Sequence, residues 1–367
     1  MLTRLTVEGY RSIRGVSLDL GGITVVLGAN GTGKTNLYRA LHLLHAAARG
    51  ELARVFADEG GMPSATWAGE RNNKEARAIR VAVELEHLGY EIVCGLPSVW
   101  VGGRSAFVLD PIVKREEISA RLDRKKTVLA ERGHASAWVR DEDGARADYP
   151  FQLDEAESVL AQVQEPHRYP ELSKLQRVFA GWRFYHHFRT DAHSPLRVPQ
   201  VGVRTVALAH DGRDLAAALQ TIREIGDEEA LDAAVMAAFP GARVHIASAE
   251  GRFSVQMSMP GLRRPLDARE LSDGTLRYLC LLAALASPRA PTFVALNEPE
   301  TSLHPSLLPP LGAAIAAAGA RSQVWVTTHS EVLAQAIEAA TDARRVSLVL
   351  REGATQVARG DADEDED

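Results

Sequence analysis

Residues 28–35, GANGTGKT, constrain this chain more than any other segment. They fit the pattern G-x-x-x-x-G-K-[ST], directly follow the apolar run 23–27, and precede Leu37, Leu41, Leu44 and Ala48, which recur at helical spacing. A strand, a glycine-rich turn and a helix in that order make a phosphate cradle. Its glycines let backbone N–H groups turn inward around an anion, and the helix amino terminus adds positive potential. On this reading Asn30, Gly31, Thr32, Gly33, Lys34, Thr35 and Asn36 hold a nucleotide; Lys34 reaches the β- and γ-oxygens and Thr35 offers its hydroxyl to Mg²⁺. The ligands expected are ATP and Mg²⁺, and the fold class expected is α/β.

A length of 367 residues exceeds what one hydrophobic core usually supports, so two lobes, or one domain with a large insertion, are expected. With 46% apolar and 25% charged residues, disordered and fibrous classes are excluded. The longest apolar runs, 278–286 and 311–320, fall short of the ~18 residues that span a bilayer. Arg4, Glu8 and Arg11 break the amino terminus where a secretory signal needs an unbroken apolar stretch, so a cytoplasmic protein with no membrane partner is expected. Cys94 and Cys280 lie far apart, follow no metal-ligand spacing, and read as buried small hydrophobes. The formal charge of −6 comes from the tail: residues 361–367, DADEDED, hold six carboxylates, which leaves 42 acidic against 42 basic residues elsewhere. A neutral body weakens a simple nucleic-acid reading. Arg121, Arg124, Lys125 and Lys126 are a candidate basic strip, read first as a solvated helix face. The tail reads as a disordered solubilising end; an acidic arm competing with nucleic acid is the alternative.

Strands are expected at 2–10, 16–20 and 23–27, a helix over 34–49, a loop-rich connection over 50–75, and a hairpin over 79–94. Residues 1–100 thus form the first part of a head. From 101 to 205 the pattern weakens. Charged stretches near 115–130 and 152–180 read as helices, Trp182, Phe184, Tyr185 and Phe188 read as core, and the region reads as an inserted α/β lobe. Nothing in it sustains heptads, so no long coiled-coil arm is expected. Residues 206–358 begin with helices at 212–225 and 227–239 and strands near 242–247 and 252–258. Helices at 274–286, 304–318 and 330–339 then alternate with strands at 292–296, 323–327 and 345–350, which implies a parallel sheet covered on both faces. Residues 359–367 are the acidic tail.

Three further motifs follow the phosphate loop. LSDGTLR (271–277) is a polar turn opening a helix; FVALNEPETSLHP (293–305) is an apolar strand ending in Asn297-Glu298; QVWVTTHS (323–330) sets His329 just past another strand. Singly, Ser272 can be a helix cap, Glu298 a strand-end turn residue and His329 a helix-start histidine. Together, behind a phosphate loop, they resemble the ABC-type ATPases of the SMC, RecF and OLD group, most closely the short RecF-like predicted ATPases of the AAA family. The resemblance covers about residues 1–50 and 265–340. It implies an ABC-type P-loop NTPase head with a mixed antiparallel amino-terminal sheet and a parallel-sheet core.

The resemblance also implies an ATP-dependent homodimer, each nucleotide held between one copy's phosphate loop and Ser272, Asp273 and Gly274 of the other. Glu298 would polarise the attacking water and His329 would sense the γ-phosphate. Ser302, Leu303 and His304 would lie at the dimer crossing, and Arg11 and Ser12 of EGYRS near the base and phosphates. DNA, in repair or in defence against foreign DNA, is one implied partner. A separate effector such as a nuclease is the alternative, since the sequence shows no nuclease-type acidic cluster. A transporter role is disfavoured because the middle region interrupts the cassette. Two departures stand out. Asn297 replaces the usual aspartate, keeping an oxygen but no charge, so the Mg²⁺ site it shares with Thr35 is expected to be weak and turnover slow. Asp273 stands where glycine is commoner and would repel a triphosphate unless it points away. His186, His187, Asp191 and His193 fit no standard metal spacing and read as polar turn residues.

Overall fold

The computed structural model describes residues 1–70, 77–96, 106–122, 125–141 and 144–358. They divide into two units. The first comprises residues 1–21, 28–182 and the described residues from 346 onward; the second comprises 22–27, which hold β3 (Ile23–Leu27), and 183–345.

Period-two alternation builds the first unit. β1 (Leu2–Tyr10) and β2 (Ile13–Asp19) pair antiparallel, with Leu5 opposite Leu18 and Val7 opposite Val16. The sheet continues through β4 (Ala78–Leu85), β5 (Leu88–Gly95), β6 (Ile112–Leu122), β7 (Lys125–Gly133), β8 (Ser136–Arg140) and β9 (Arg146–Asp148), in the order β2-β1-β4-β5-β6-β7-β8-β9. Leu5, Val7, Ile79, Val81, Tyr90, Ile92 and Ile118 are buried. Helix α1 (Lys34–Arg49) packs against β1 and β4 and buries Leu37, Leu41, Leu44 and Ala48, each leucine contributing about 1.5–3 kcal/mol. Short helices α2 (Leu52–Asp58) and α3 (Met62–Ala65) occupy the expected loop region, and α4 (Val159–Gln162) and α5 (Pro170–Ala180) pack on α1.

The helix expected near 115–130 is instead the β6–β7 hairpin. Its polar positions are cross-strand ion pairs: Arg115 with Glu131 (3.3 Å), Lys126 with Glu117 (2.5 Å), and Arg121 with Glu84 of β4 (2.8 Å). Buried polar residues also mask the alternation. Glu116 pairs with Arg132 (3.3 Å) and accepts from Tyr90, Ser158 and the Val159 N–H. Arg121 and Lys126 are therefore ion-paired strand residues, not a basic helix face; Arg124 and the tail 359–367 lie outside the described residues. Across residue 100, where the sequence places the start of an inserted lobe, β6 pairs with β5, and the two units divide at 182/183.

The second unit holds a parallel sheet in the order β10 (Arg183–Tyr185), β15 (Phe293–Asn297), β16 (Gln323–Thr328), β3. β15 and β16 are buried at every position, the mark of strands covered on both faces. A small antiparallel sheet joins β11 (Gln200–Val201), β12 (Arg243–Ala249), β13 (Arg252–Ser258) and β14 (Leu266–Asp267). Helices α6 (Leu215–Ile225), α7 (Glu228–Ala238), α8 (Asp273–Leu285), α9 (Leu308–Gly319) and α10 (Glu331–Ala340) complete the unit around a core that includes Leu279, Leu296, Leu311, Val326 and Ile337. The hairpin of β17 (Arg344–Arg351) and β18 (Ala354–Val357) returns the chain to the first unit, where β18 lies beside β2. Trp182, Phe184, Tyr185 and Phe188 are buried, as are both free cysteines. Among the described residues no helix is long and apolar enough to cross a membrane.

Candidate nucleotide site

In the first unit, the loop ahead of α1 is shaped by its own side chains. The Thr32 hydroxyl donates to the Ala29 carbonyl (2.9 Å), and buried Lys34 donates from Nζ to the carbonyls of Gly28 (2.8 Å) and Ala29 (3.0 Å). Phosphate oxygens are charged, stronger acceptors and would compete for that ammonium. Gly33 has φ +98°, and a Cβ there would stand 2.1 Å from Thr355 Oγ1 and 2.9 Å from Ser12 Oγ, so only glycine fits. Ser12 is the hub behind it. Its hydroxyl meets Thr355 Oγ1 (2.8 Å) and accepts from Asn36 Nδ2 (2.8 Å), and its carbonyl accepts the Thr355 N–H (2.8 Å). Arg11 donates to Glu59 from Nε (3.1 Å) and Nη2 (2.9 Å). Tyr10 donates to the same carboxylate, and burial together with that charge pushes its phenol well above the usual range. Thr35 is half-buried; Asn30 and Gly31 are exposed.

In the second unit, the carboxyl ends of three parallel strands line up. Thr327 stands opposite Asn297, and Thr328 opposite Leu27, the residue before Gly28. Asn297 is 1% exposed; its Oδ1 accepts from the Thr327 hydroxyl (2.5 Å) and its Nδ2 meets His186 Nδ1 (2.5 Å). A carboxamide oxygen with one hydrogen bond keeps a second lone pair. It suits a hard, oxygen-seeking cation such as Mg²⁺, held weakly because it is uncharged, and the Thr35 hydroxyl is a donor of the same kind. Glu298 adopts φ +47°, sparsely populated for a side-chain-bearing residue and typical of functional turns. Its N–H donates to the Thr327 carbonyl (2.8 Å), and buried Arg277 donates from Nη2 to its carbonyl (3.1 Å). His329 is held by Glu300, whose Oε1 accepts from the Thr328 hydroxyl (2.5 Å) and the His329 N–H (2.9 Å) and lies 3.2 Å from His329 Nδ1.

The turn at 271–277 belongs to the same unit. Ser272 caps α8, accepting from the Thr275 N–H (3.1 Å). A Cβ on Gly274 would stand 2.8 Å from the carbonyl oxygen of Ser302, itself at φ +63°, so the turn and the Ser302–His304 segment meet through a glycine. The Asp273 carboxylate accepts from Arg197 Nη2 (2.5 Å). His304 caps the short turn 305–307. Of the histidine-rich segment, His186 meets Asn297, while Asp191 accepts from Arg189 and the His193 N–H, a local turn. Arg197, Glu300 and Thr355 were not singled out by the sequence, and His186 was read only as a polar turn residue; of these only Glu300, inside the EPE triplet, stood within a recognised motif.

A parallel sheet whose strand ends carry Asn297-Glu298 and Thr328-His329, and an antiparallel sheet beside a phosphate loop, give this chain the fold of an ABC-type P-loop NTPase. The chain belongs to the AAA-domain family described as "AAA domain, putative AbiEii toxin, Type IV TA system", whose model matches residues 142–334; a second AAA-domain model matches residues 4–163. Among solved structures, the chain is similar to an SMC head bound to the C-winged helix domain of ScpA (TM-score 0.57, 14% identity, 97% of each chain covered). It is likewise similar to an Smc head with an extended coiled coil bound to the C-terminal domain of ScpA, derived from Pyrococcus furiosus (TM-score 0.53, 14% identity, 97% of this chain and 95% of that one). At such identity the likeness is one of fold. No curated protein matches the chain in sequence.

Proposed function

We propose that this protein binds ATP with Mg²⁺, hydrolyses it slowly, and uses it to join two copies of itself. The observation that carries this reading is the register of β15, β16 and β3, which sets Asn297 and Thr327 level with Val26 and Thr328 level with Leu27, the residue that enters the phosphate loop. Ligands of open parallel sheets bind beyond the carboxyl ends of such strands. In this reading Lys34 and the loop N–H groups hold the phosphates, and Thr35 and Asn297 would hold Mg²⁺, which screens their charge. Glu298 takes the proton of the attacking water, and His329 meets the γ-phosphate. Ser272 and Gly274 of the second copy close the site. The uncharged Asn297 supports a slow switch rather than a fast motor.

The pathway proposed is DNA repair or defence against foreign DNA, and the toxin–antitoxin wording of the family description fits defence. A second reading is an ATP-dependent switch that restrains a separate effector such as a nuclease, without touching DNA. It is favoured by the sheet's ion-paired arginines and lysines: Arg80 with Glu8 and Glu91, Arg121 with Glu84, Lys126 with Glu117. Nucleotide binding and phosphate release distinguish these ideas. Lys34→Ala should lose ATP binding and Glu298→Gln should bind ATP without turning it over; tight ATP binding by the lysine variant would overturn the site. Turnover stimulated by DNA, with binding that falls steeply as salt rises, would favour the DNA reading over the effector reading.

A further inference from the structure

Asp273 is exposed at the first turn of α8, between the two residues that the proposed function turns toward a triphosphate. A carboxylate suits a helix amino terminus, but like charges brought together across an interface oppose association strongly. The side chain that answers this is Arg197, from the short turn 195–197, whose guanidinium is only 10% exposed. Its Nη2 donates to Asp273 Oδ1 (2.5 Å), and Nη1 donates to the carbonyls of Leu271 (2.8 Å), Ala268 (2.9 Å) and Arg269 (3.3 Å). Nε donates to the carbonyls of Thr190 (3.0 Å) and Asp191 (3.2 Å). Arg269 returns a bond from Nε to the Arg197 carbonyl (3.3 Å). One planar fork thus grips the backbone leading into the turn and the one carboxylate within it, as only arginine can. Beside it lies an open surface depression lined by Arg197, Arg269, Ser272 and Asp273, so the turn is accessible to a partner.

We propose that Arg197 is the positioning residue of the 271–277 turn: it draws Asp273 aside and cancels its charge, leaving Ser272 and Gly274 to face the triphosphate carried by a second copy of this chain. The inference rests on the composite-site reading above. It differs from a purely structural clasp in one respect, which is that removing the Asp273 charge should relieve the loss of Arg197.

The test is a double-variant cycle in the Glu298→Gln protein, with ATP-dependent association measured by sedimentation velocity and ATP binding to the dilute monomer by a fluorescent analogue. Arg197→Met should weaken association by about tenfold or more, while monomer ATP binding shifts by less than about twofold. Adding Asp273→Asn should recover most of that loss, although the same change with Arg197 intact moves association far less. If Arg197→Met fails to fold, Arg197→Gln, whose amide can still donate to the carbonyls, runs the same cycle. A double variant as weak as the arginine variant, or an arginine variant that associates like its parent, overturns the proposal alone. A Glu298→Gln parent that binds ATP and stays monomeric overturns the composite-site reading, and the proposal with it.

Discussion

Glu300 offers the sharpest separation of structure from chemistry. Its side chain is 5% exposed, and Oε1 accepts from the Thr328 hydroxyl and the His329 N–H while facing His329 Nδ1 at 3.2 Å. Oε2 is buried and has no hydrogen-bond partner among the described residues. Glu300→Ala strands two donors at about 1–3 kcal/mol each, so a loss of about 2–6 kcal/mol in stability is expected. Glu300→Gln is different. It keeps the volume and one amide oxygen for those donors, and the weaker neutral bonds are offset by the smaller cost of burying an amide than a carboxylate. Its stability should stay within about 1–2 kcal/mol of the parent. What it loses is the carboxylate charge that faces His329 Nδ1 at 3.2 Å and holds the imidazole in one orientation. Turnover should therefore fall by roughly tenfold or more, as when orienting carboxylates are removed behind other working histidines, with ATP affinity little changed. Urea unfolding paired with phosphate-release kinetics reads both quantities. Full turnover by Glu300→Gln, or an alanine variant as stable as the parent, would refute the argument.

Three further expectations follow from buried groups. Asn297→Asp adds the charge that a magnesium site lacks but replaces the amide donor facing His186, so the Mg²⁺ concentration needed for ATP binding should drop about tenfold while metal-free stability falls by about 1–3 kcal/mol. An unchanged Mg²⁺ titration would remove the case for a weakened metal position. Glu116→Ala leaves the buried Arg132 charge without its counter-ion, which should cost about 3–5 kcal/mol in denaturant unfolding, whereas exchanging both partners for apolar residues should cost much less. Burial pushes both the Cys94 and Cys280 thiols up, so neither should react with a thiol reagent at pH 8 until denaturant is added; rapid native labelling would contradict their placement.

What the sequence made legible follows from which interactions are local. The phosphate loop needs its glycines, lysine and threonine in one short run between a strand and a helix, and β15 and β16 carry the apolar runs 293–296 and 324–326, so both stand out in the linear order. The β6–β7 hairpin did not. One face carries Arg115, Lys126 and Glu131 around the buried Glu117, ion-paired along and across the strands, and buried Glu116 pairs with buried Arg132, so hydropathy saw only a charged stretch. The supporting residues of the candidate site were hidden for the same reason. Thr355 reaches Ser12 from 343 residues away, His186 reaches Asn297 from 111, and Arg197 reaches Asp273 from 76. No local pattern records a partner that only the fold brings close. Asp273 shows the limit most clearly: its repulsion was foreseeable from charge alone, and its answer in Arg197 was not.

ATP joining two copies of this chain is the central step of the proposed function. The oligomeric state of the Glu298→Gln protein, measured with Mg²⁺ and either ATP or ADP, tests it directly. Association with ATP that is lost with ADP, and lost again when Ser272→Arg is added, is the result expected. A protein that stays monomeric at saturating ATP would contradict the account.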